Sequence, residues 1–139
     1  MKVCVAGASG AFGIKHLDAI KQIDGVEVTS IVGGRSGDLG DFAKSRGIGH
    51  WTSDLDESLA RKDVDAVILS TPTQMHAAQG IACMKAGKHV MIEIPMADNL
   101  AALQVVLSAA EERELRRLVD AMQVHGDRHP APMMKTLDA

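Results

Sequence analysis

The segment Gly7-Ala8-Ser9-Gly10-Ala11-Phe12-Gly13 spaces three glycines three residues apart. Glycine leaves backbone N–H groups uncovered, so a loop of this kind can lie directly against a phosphate. Gly7 would allow a tight bend, Gly10 a close approach to a pyrophosphate, and Gly13 close packing of helix on strand. The apolar run Val3 to Ala6 precedes the glycines and a helical pattern follows at once. Ser9, Gly10, Ala11 and Phe12 therefore stand where a helix N-terminus offers its donors and dipole to an anion. Dinucleotide binding is the chemistry that this order predicts.

Three later stretches carry side chains suited to the rest of a dinucleotide. Gly34-Arg35-Ser36 follows a β-rich run and precedes the first nearby carboxylate, Asp38. Sites specific for NAD place Asp or Glu there, accepting from ribose hydroxyls. Arg35 can instead form a planar fork on a 2′-phosphate, with Ser36 adding a hydroxyl, which predicts NADP over NAD. The alternative is an ordinary solvated arginine. Ser70-Thr71-Pro72-Thr73 leaves the fourth apolar run on the nicotinamide side, with Pro72 fixing the backbone and Thr73 able to cap the next helix. His76, in the first turn of that helix, suits contact with cofactor or substrate, and equally a hydrogen-bonded helix start. Glu93-Ile94-Pro95 closes the fifth run; Glu93 can bond a ribose or simply be solvated. His125, Asp127 and His129 are metal-ligand types, but Gly126 and Pro130 break any common helix face, so no metal site is expected. His16 falls on a helix surface. The spacings orient no base onto a nucleophile, so no catalytic residue is assigned.

These groups need a scaffold, and the chain alternates strand and helix patterns. Phe12, Leu17, Ile20 and Ile23 share one helical face, with Lys15, Asp18, Lys21 and Gln22 outside. Asp24-Gly25 stops that helix, and Val26 to Val32 reads as the second strand. A helix from about Leu39 to Arg46, a short strand near Ile48 to Trp51, and a helix capped at Ser53-Asp54 and running to Arg61 come next. Asp65 to Leu69 is continuously apolar after its first residue, as in a parallel sheet covered on both faces. Gln74 to Ala86 is helical, His89 to Ile92 a strand, and Asp98 or Asn99 caps a long helix with Leu100, Leu103, Leu107 and Ala110 in one stripe. Leu118 to Met122 reads as a sixth strand. The sum is an α/β doubly wound parallel sheet of Rossmann type, order 3-2-1-4-5-6, with ligand at the carboxyl ends near the switch between strands 1 and 4.

Composition agrees with a single domain. The chain has 139 residues and a formal charge of −3, which offers no general footprint for nucleic acid or an anionic membrane. The first apolar run is too short for a signal peptide or a membrane span, and two cysteines, Cys4 and Cys83, read as reduced hydrophobes of a cytoplasmic protein. With Phe12, Phe42 and Trp51 the only aromatics, the core is expected to use Val, Ile, Leu, Ala and Met. Residues 1–120 are expected to form the dinucleotide-binding domain and 121–139 a diverged tail.

The wording of several motifs resembles one family. Ser70-Thr71-Pro72-Thr73-Gln74-Met75-His76, Gly87-Lys88-His89-Val90 and Glu93-Ile94-Pro95 are similar to the glucose–fructose oxidoreductase and inositol dehydrogenase superfamily. Ala11 to Ile20, Ile23 to Val28 and Asp63 to Leu69 extend the likeness, which covers roughly residues 2 to 120. Within that superfamily the chain resembles a semialdehyde dehydrogenase branch. The resemblance implies NADP-linked oxidation of a carboxylated cyclic hemiacetal to 2-pyrone-4,6-dicarboxylate, in bacterial breakdown of lignin-derived aromatic acids. Departures accompany it. The family turn usually reads Gly-x-Gly-x-x-Gly, one residue shorter than here. The usual Glu-Lys-Pro has a lysine that handles a proton, whereas Ile94 can neither give nor take one; Glu-Ile-Pro is the form of the branch. Family enzymes continue into an α+β domain that binds substrate and usually forms the dimer interface, and this chain stops at Ala139. Self-association, as a homo-oligomer, or docking of the tail through Met122, Met133 and Met134 is the expected way to cover surface that such a domain would cover.

Overall fold

The computed structural model describes residues 1–34 and 36–98. Five strands, β1 (Lys2–Ala6), β2 (Glu27–Val32), β3 (Trp51–Thr52), β4 (Ala66–Leu69) and β5 (His89–Ile92), form one sheet. All pair in parallel, in the order β3-β2-β1-β4-β5. Four helices connect them: α1 (Ala11–Ile20), α2 (Ser36–Ser45), α3 (Leu55–Leu59) and α4 (Thr73–Lys85). The doubly wound sheet is as expected over these elements. The expected sixth strand and the helix before it lie outside the described residues.

The sheet is covered on both faces, which is why β4 is apolar throughout and β1 apolar from Val3 to Ala6. Val3, Val5, Ile31, Leu17, Leu39 and Ala43 pack together on the side of α1 and α2. Cys4, Ala6, Val32, Leu59, Val67, Leu69 and Cys83 pack on the side of α3 and α4. Successive residues of β1 thus serve opposite layers. Burial pushes the Cys4 thiol up and the Cys83 thiol up to about 11, so both remain neutral, inert core groups.

The face of α1 differs from the periodicity. Gly13, Leu17 and Ile20 are buried, whereas Phe12 is 58% exposed and Ile23, beyond the helix end, is 52% exposed. Only a glycine fits where α1 meets the preceding turn, so Gly13 takes the inner position. Phe12, one residue earlier and about 100° round the helix, turns to solvent. No methionine belongs to the buried core among the described residues; Met1, Met75, Met84 and Met91 are exposed.

Strand β2 contains a bulge that its alternation conceals. Val3 faces Val28, but Cys4 faces Ser30, leaving Thr29 as the extra residue. Its hydroxyl donates to the Asp63 carbonyl at 2.7 Å. One added residue reverses side-chain parity. Val26 and Val28 therefore share the α1 layer with Ile31, which follows Val28 by an odd step of three residues. Ser30 and Val32 go to the opposite layer, where Ser30 Oγ meets Ser58 Oγ at 2.8 Å and His50 Nδ1 at 2.9 Å.

Strand β3 begins later than its sequence suggests because only Trp51 and Thr52 pair with β2. The Thr52 hydroxyl donates to the Glu57 carboxylate, and Asp54 Oδ1 caps α3 by accepting from the Asp56 N–H at 2.9 Å. The Thr52 bond holds the Glu57 carboxyl below its ordinary value of 4.5. A depressed folded-state pKa contributes stability above the unfolded value that is lost as pH falls through the folded one. Glu57→Gln is therefore expected to flatten the acid limb of stability below about pH 4.5, read by urea unfolding across pH. An unchanged acid limb would contradict the assignment.

Candidate functional site

The glycine turn follows β1 directly. Gly7 has φ +78°, and its N–H donates to the Val32 carbonyl at 2.8 Å. A Cβ there would stand 2.4 Å from the Ser70 carbonyl oxygen, so both conformation and space demand glycine. The Gly10 N–H donates to the Gly7 carbonyl at 2.9 Å, closing a four-residue turn. Gly13 then packs against the turn itself: a Cβ would lie 2.2 Å from Gly7 O and 2.7 Å from Ala8 Cα.

Helix α1 starts without a side-chain cap. Gly10 occupies the cap position in an extended conformation, and the first turn holds no acidic residue. The free donors and positive end of the helix dipole face the mouth of the turn, where Ser9, Gly10, Ala11 and Phe12 are exposed. The donor set fits a pyrophosphate, which would lie on these N–H groups.

Beside the turn, between the loops after β2 and β3 and the start of α4, opens a cleft of about 530 Å³ lined by Gly7, Gly33, Gly34, Asp54, Met75 and Gln79, among others. A mix of apolar walls and few polar groups suits a nucleoside. Gly34 is exposed at its edge, with nothing within 4 Å of a Cβ. Ser36 is the first residue of α2. Arg35 lies outside the described residues.

On the other side of β1, two loops are tied together. Ser70 Oγ donates to the Ala6 carbonyl at 2.8 Å, and Thr71 Oγ1 donates to Gln79 Oε1 at 2.5 Å. Thr73 does not cap α4 as its sequence position suggests. Helix α4 begins at Thr73, and Pro72 (φ −57°, ψ 140°) holds the cap position without a side-chain bond. The fixed ring torsion of proline suits that extended position, and Thr73 is already inside the first turn. His76 is 2% exposed. Its Nε2 lies 2.7 Å from Thr71 O and its Nδ1 2.9 Å from Pro95 O. The ring therefore sits beneath the loops and clips them, rather than projecting between them. The Ile94–Pro95 bond is cis. Ile94 itself is 86% exposed, a hydrocarbon at the rim.

Glu93 has its backbone N–H on Leu69 O at 3.0 Å and its Oε1 2.7 Å from His16 Nε2. Sequence reading left His16 on the outer surface of α1. Its place three residues after Gly13, the glycine that faces inward, was the signal that it faces the sheet. A second grouping was also not foreseen: Glu57 Oε1 lies 3.6 Å from His50 Nε2, and His50 Nδ1 reaches Ser30 Oγ. Ser30 and Ser58 are fully buried, so the inner end of this row supports β2 and β3, while Glu57 ends it at the surface. Among the described residues no group of three or more His, Cys, Asp or Glu is placed to hold a metal, and no helix is long and apolar enough to cross a membrane.

The turn, the cleft and the two loops all lie at the carboxyl ends of parallel strands, astride the β1–β4 switch. Comparison with known proteins identifies relatives of the chain. The chain is 54% identical over 115 residues to the 4-carboxy-2-hydroxymuconate-6-semialdehyde dehydrogenase of Sphingobium sp. (strain NBRC 103272 / SYK-6), covering 83% of this chain and 36% of that one. It is 31% identical over 97 residues to the scyllo-inositol 2-dehydrogenase (NADP(+)) IolU of Bacillus subtilis, covering 70% of this chain and 30% of that one. Among solved structures, the WlbA dehydrogenase of Chromobacterium violaceum in complex with NADH and UDP-GlcNAcA superposes with a TM-score of 0.71 at 30% identity, over 82% of this chain and 33% of that one. The chain thus spans about a third of the length of the relatives it matches. The model of the oxidoreductase family with an NAD-binding Rossmann fold matches residues 1–121, and the chain belongs to that family, as an NAD(P)-binding domain of the glucose–fructose oxidoreductase and inositol dehydrogenase type.

Proposed function

We propose that the chain holds NADP for a dehydrogenase that oxidises a carboxylated cyclic hemiacetal to 2-pyrone-4,6-dicarboxylate. The observation that carries this reading is the 54% identity over 115 residues to the semialdehyde dehydrogenase. NADP, when bound, supplies the hydride acceptor. The chain's own residues bind and orient. The Gly7–Gly13 turn and the start of α1 take the pyrophosphate, and the cleft at Gly33 and Gly34 takes the adenosine. Arg35 and Ser36 take the 2′-phosphate. Ser70, Thr71, Pro72 and Thr73 line the nicotinamide side, with Glu93, Ile94 and Pro95 beyond them and His76 holding both loops in place. Residues 1–120 make up this domain and 121–139 a diverged tail, in a cytoplasmic protein. The open apolar groove of about 370 Å³ along β4 and β5, lined by Ile20, Val26, Ile68 and Met91 among others, supports self-association, which light scattering reads.

Calorimetric titration with NADP+ and NAD+ tests the cofactor. Wild type is expected to prefer NADP+, and Arg35→Ala to lose about tenfold or more of that preference while keeping NAD+ affinity. Equal affinity for both cofactors, unchanged by the substitution, would overturn the 2′-phosphate assignment. The alternative is a dinucleotide-holding module without turnover; Ile94, exposed and purely hydrocarbon, fits both readings, since Glu-Ile-Pro is also the form of the semialdehyde branch. NADPH formation with the semialdehyde, followed at its absorbance, separates the two: turnover above background discards the module.

A further inference from the structure

His16 and Glu93 are 77 residues apart in sequence and meet at 2.7 Å on the carboxyl edge of the sheet. Both side chains are partly buried, 21% and 27% exposed. Glu93 is fixed from two directions, its backbone by Leu69 O at the end of β4 and its Oε1 by His16 on α1. Among the described residues only Oε1 is engaged, so Oε2 is the oxygen that remains for a ligand.

The location of this pair has a direct consequence for a dinucleotide. The cleft by Gly33 and Gly34 reaches from the ends of β2 and β3 to Thr71, Pro72 and the first turns of α4, the glycine turn follows β1, and Glu93 follows β5, the strand at the other end of the sheet order. A pyrophosphate on the start of α1 with one nucleoside in the cleft sends the second nucleoside across β4 toward β5. A ribose there offers hydroxyl donors, and a carboxylate is the acceptor that pairs best with them. A carboxylate on a free side chain would lose rotamer freedom on binding; one already held by His16 loses less.

We propose that His16 is a positioning residue for the second ribose of the dinucleotide: its Nε2–H holds the Glu93 carboxylate so that Oε2 accepts from a ribose hydroxyl. This rests on the dinucleotide reading above. His16 itself touches no ligand.

The test is calorimetric titration of the full chain with two probes. One is the dinucleotide that wild type prefers. The other is its adenosine fragment, 2′,5′-ADP or ADP, which lacks the second ribose. Glu93→Gln and His16→Leu are each expected to weaken dinucleotide binding about tenfold, the range for a lost hydrogen bond to a charged group, with fragment affinity unchanged within twofold. The double variant is expected to be no weaker than Glu93→Gln alone, because the two act as one unit. His16→Gln keeps an N–H donor and is expected to recover most of the loss. Unaltered dinucleotide affinity in both single variants overturns the proposal. So does a parallel loss of fragment affinity, which marks a general structural role. If wild type binds neither probe, the dinucleotide reading falls and this proposal with it.

Discussion

Gly13→Ala is expected to destabilise the domain by more than about 3 kcal/mol and to remove dinucleotide binding. The added Cβ would stand 2.2 Å from Gly7 O, 2.7 Å from Ala8 Cα and 2.8 Å from Ala8 C, all of them backbone atoms. None can turn aside. Gly7 and Ala8 both donate to Val32 O, so the turn is anchored to β2 and cannot retreat. Helix α1 would have to lift instead, and with it Leu17 and Ile20 from the layer they share with Val3, Val5 and Ile31. Gly80 gives the contrast. Its added Cβ would meet Ile92 Cδ1 at 2.7 Å, the movable end of a side chain. Gly80→Ala is expected to change stability by no more than about 1 kcal/mol, because relief of glycine's helix penalty offsets part of the crowding. Urea unfolding of the two variants, with titration of NADP+, checks both. A Gly13→Ala protein within about 1 kcal/mol of wild type would show that the turn is not built as described.

His76→Leu is expected to lower stability by about 2–4 kcal/mol and to free the segment after β5. Leucine fills much of the same buried volume, so the loss is in hydrogen bonding rather than in packing. Thr71 O and Pro95 O can only accept, and His76 is the group within reach of both. A ring with one N–H bonds one of these carbonyls, and a doubly protonated ring bonds both. Without the imidazole the loops after β4 and β5 have no shared anchor here, and the rim carrying Ile94 loses its support. Limited proteolysis is expected to cut His76→Leu within residues 93–98 sooner than wild type, alongside the fall in unfolding free energy. His76→Gln, which keeps one donor, is expected to fall between. Equal cleavage rates for all three would remove the clip from the account.

Much of this architecture could be read from residue order because each local signal agreed with the next. The glycine turn, the apolar strand Ala66–Leu69 and the strand His89–Ile92 needed only periodicity and punctuation. Where the reading failed, a tertiary constraint had overridden a local one. Phe12 belongs to the apolar stripe by spacing, yet Gly13 takes the inward place because the turn leaves no room for a side chain. Thr73 is a good cap by type, but Pro72 already holds that position. The bulge at Thr29 is invisible in Val26 to Val32, since apolar residues occur at both parities. The His16–Glu93 pair depends on the residue after β5 meeting α1 across 77 positions of sequence, a relation that no local pattern encodes. The rows His50, Ser30, Ser58 and Glu57 likewise come together only once β2, β3 and α3 are assembled.

The uncapped start of α1 has one more implication. Most helices finish their first turn with their own side chain, whereas here Gly10 supplies none. Whatever anion arrives completes the helix as well as occupying the site. The domain's resistance to opening then tracks the supply of its ligand: at a hundredfold excess over the dissociation constant, binding adds about 2.7 kcal/mol. Amide hydrogens of Ala11, Phe12 and Gly13 would exchange quickly in the empty protein and slowly in the loaded one. In a cell, the lifetime of the chain would thereby report how much dinucleotide is at hand.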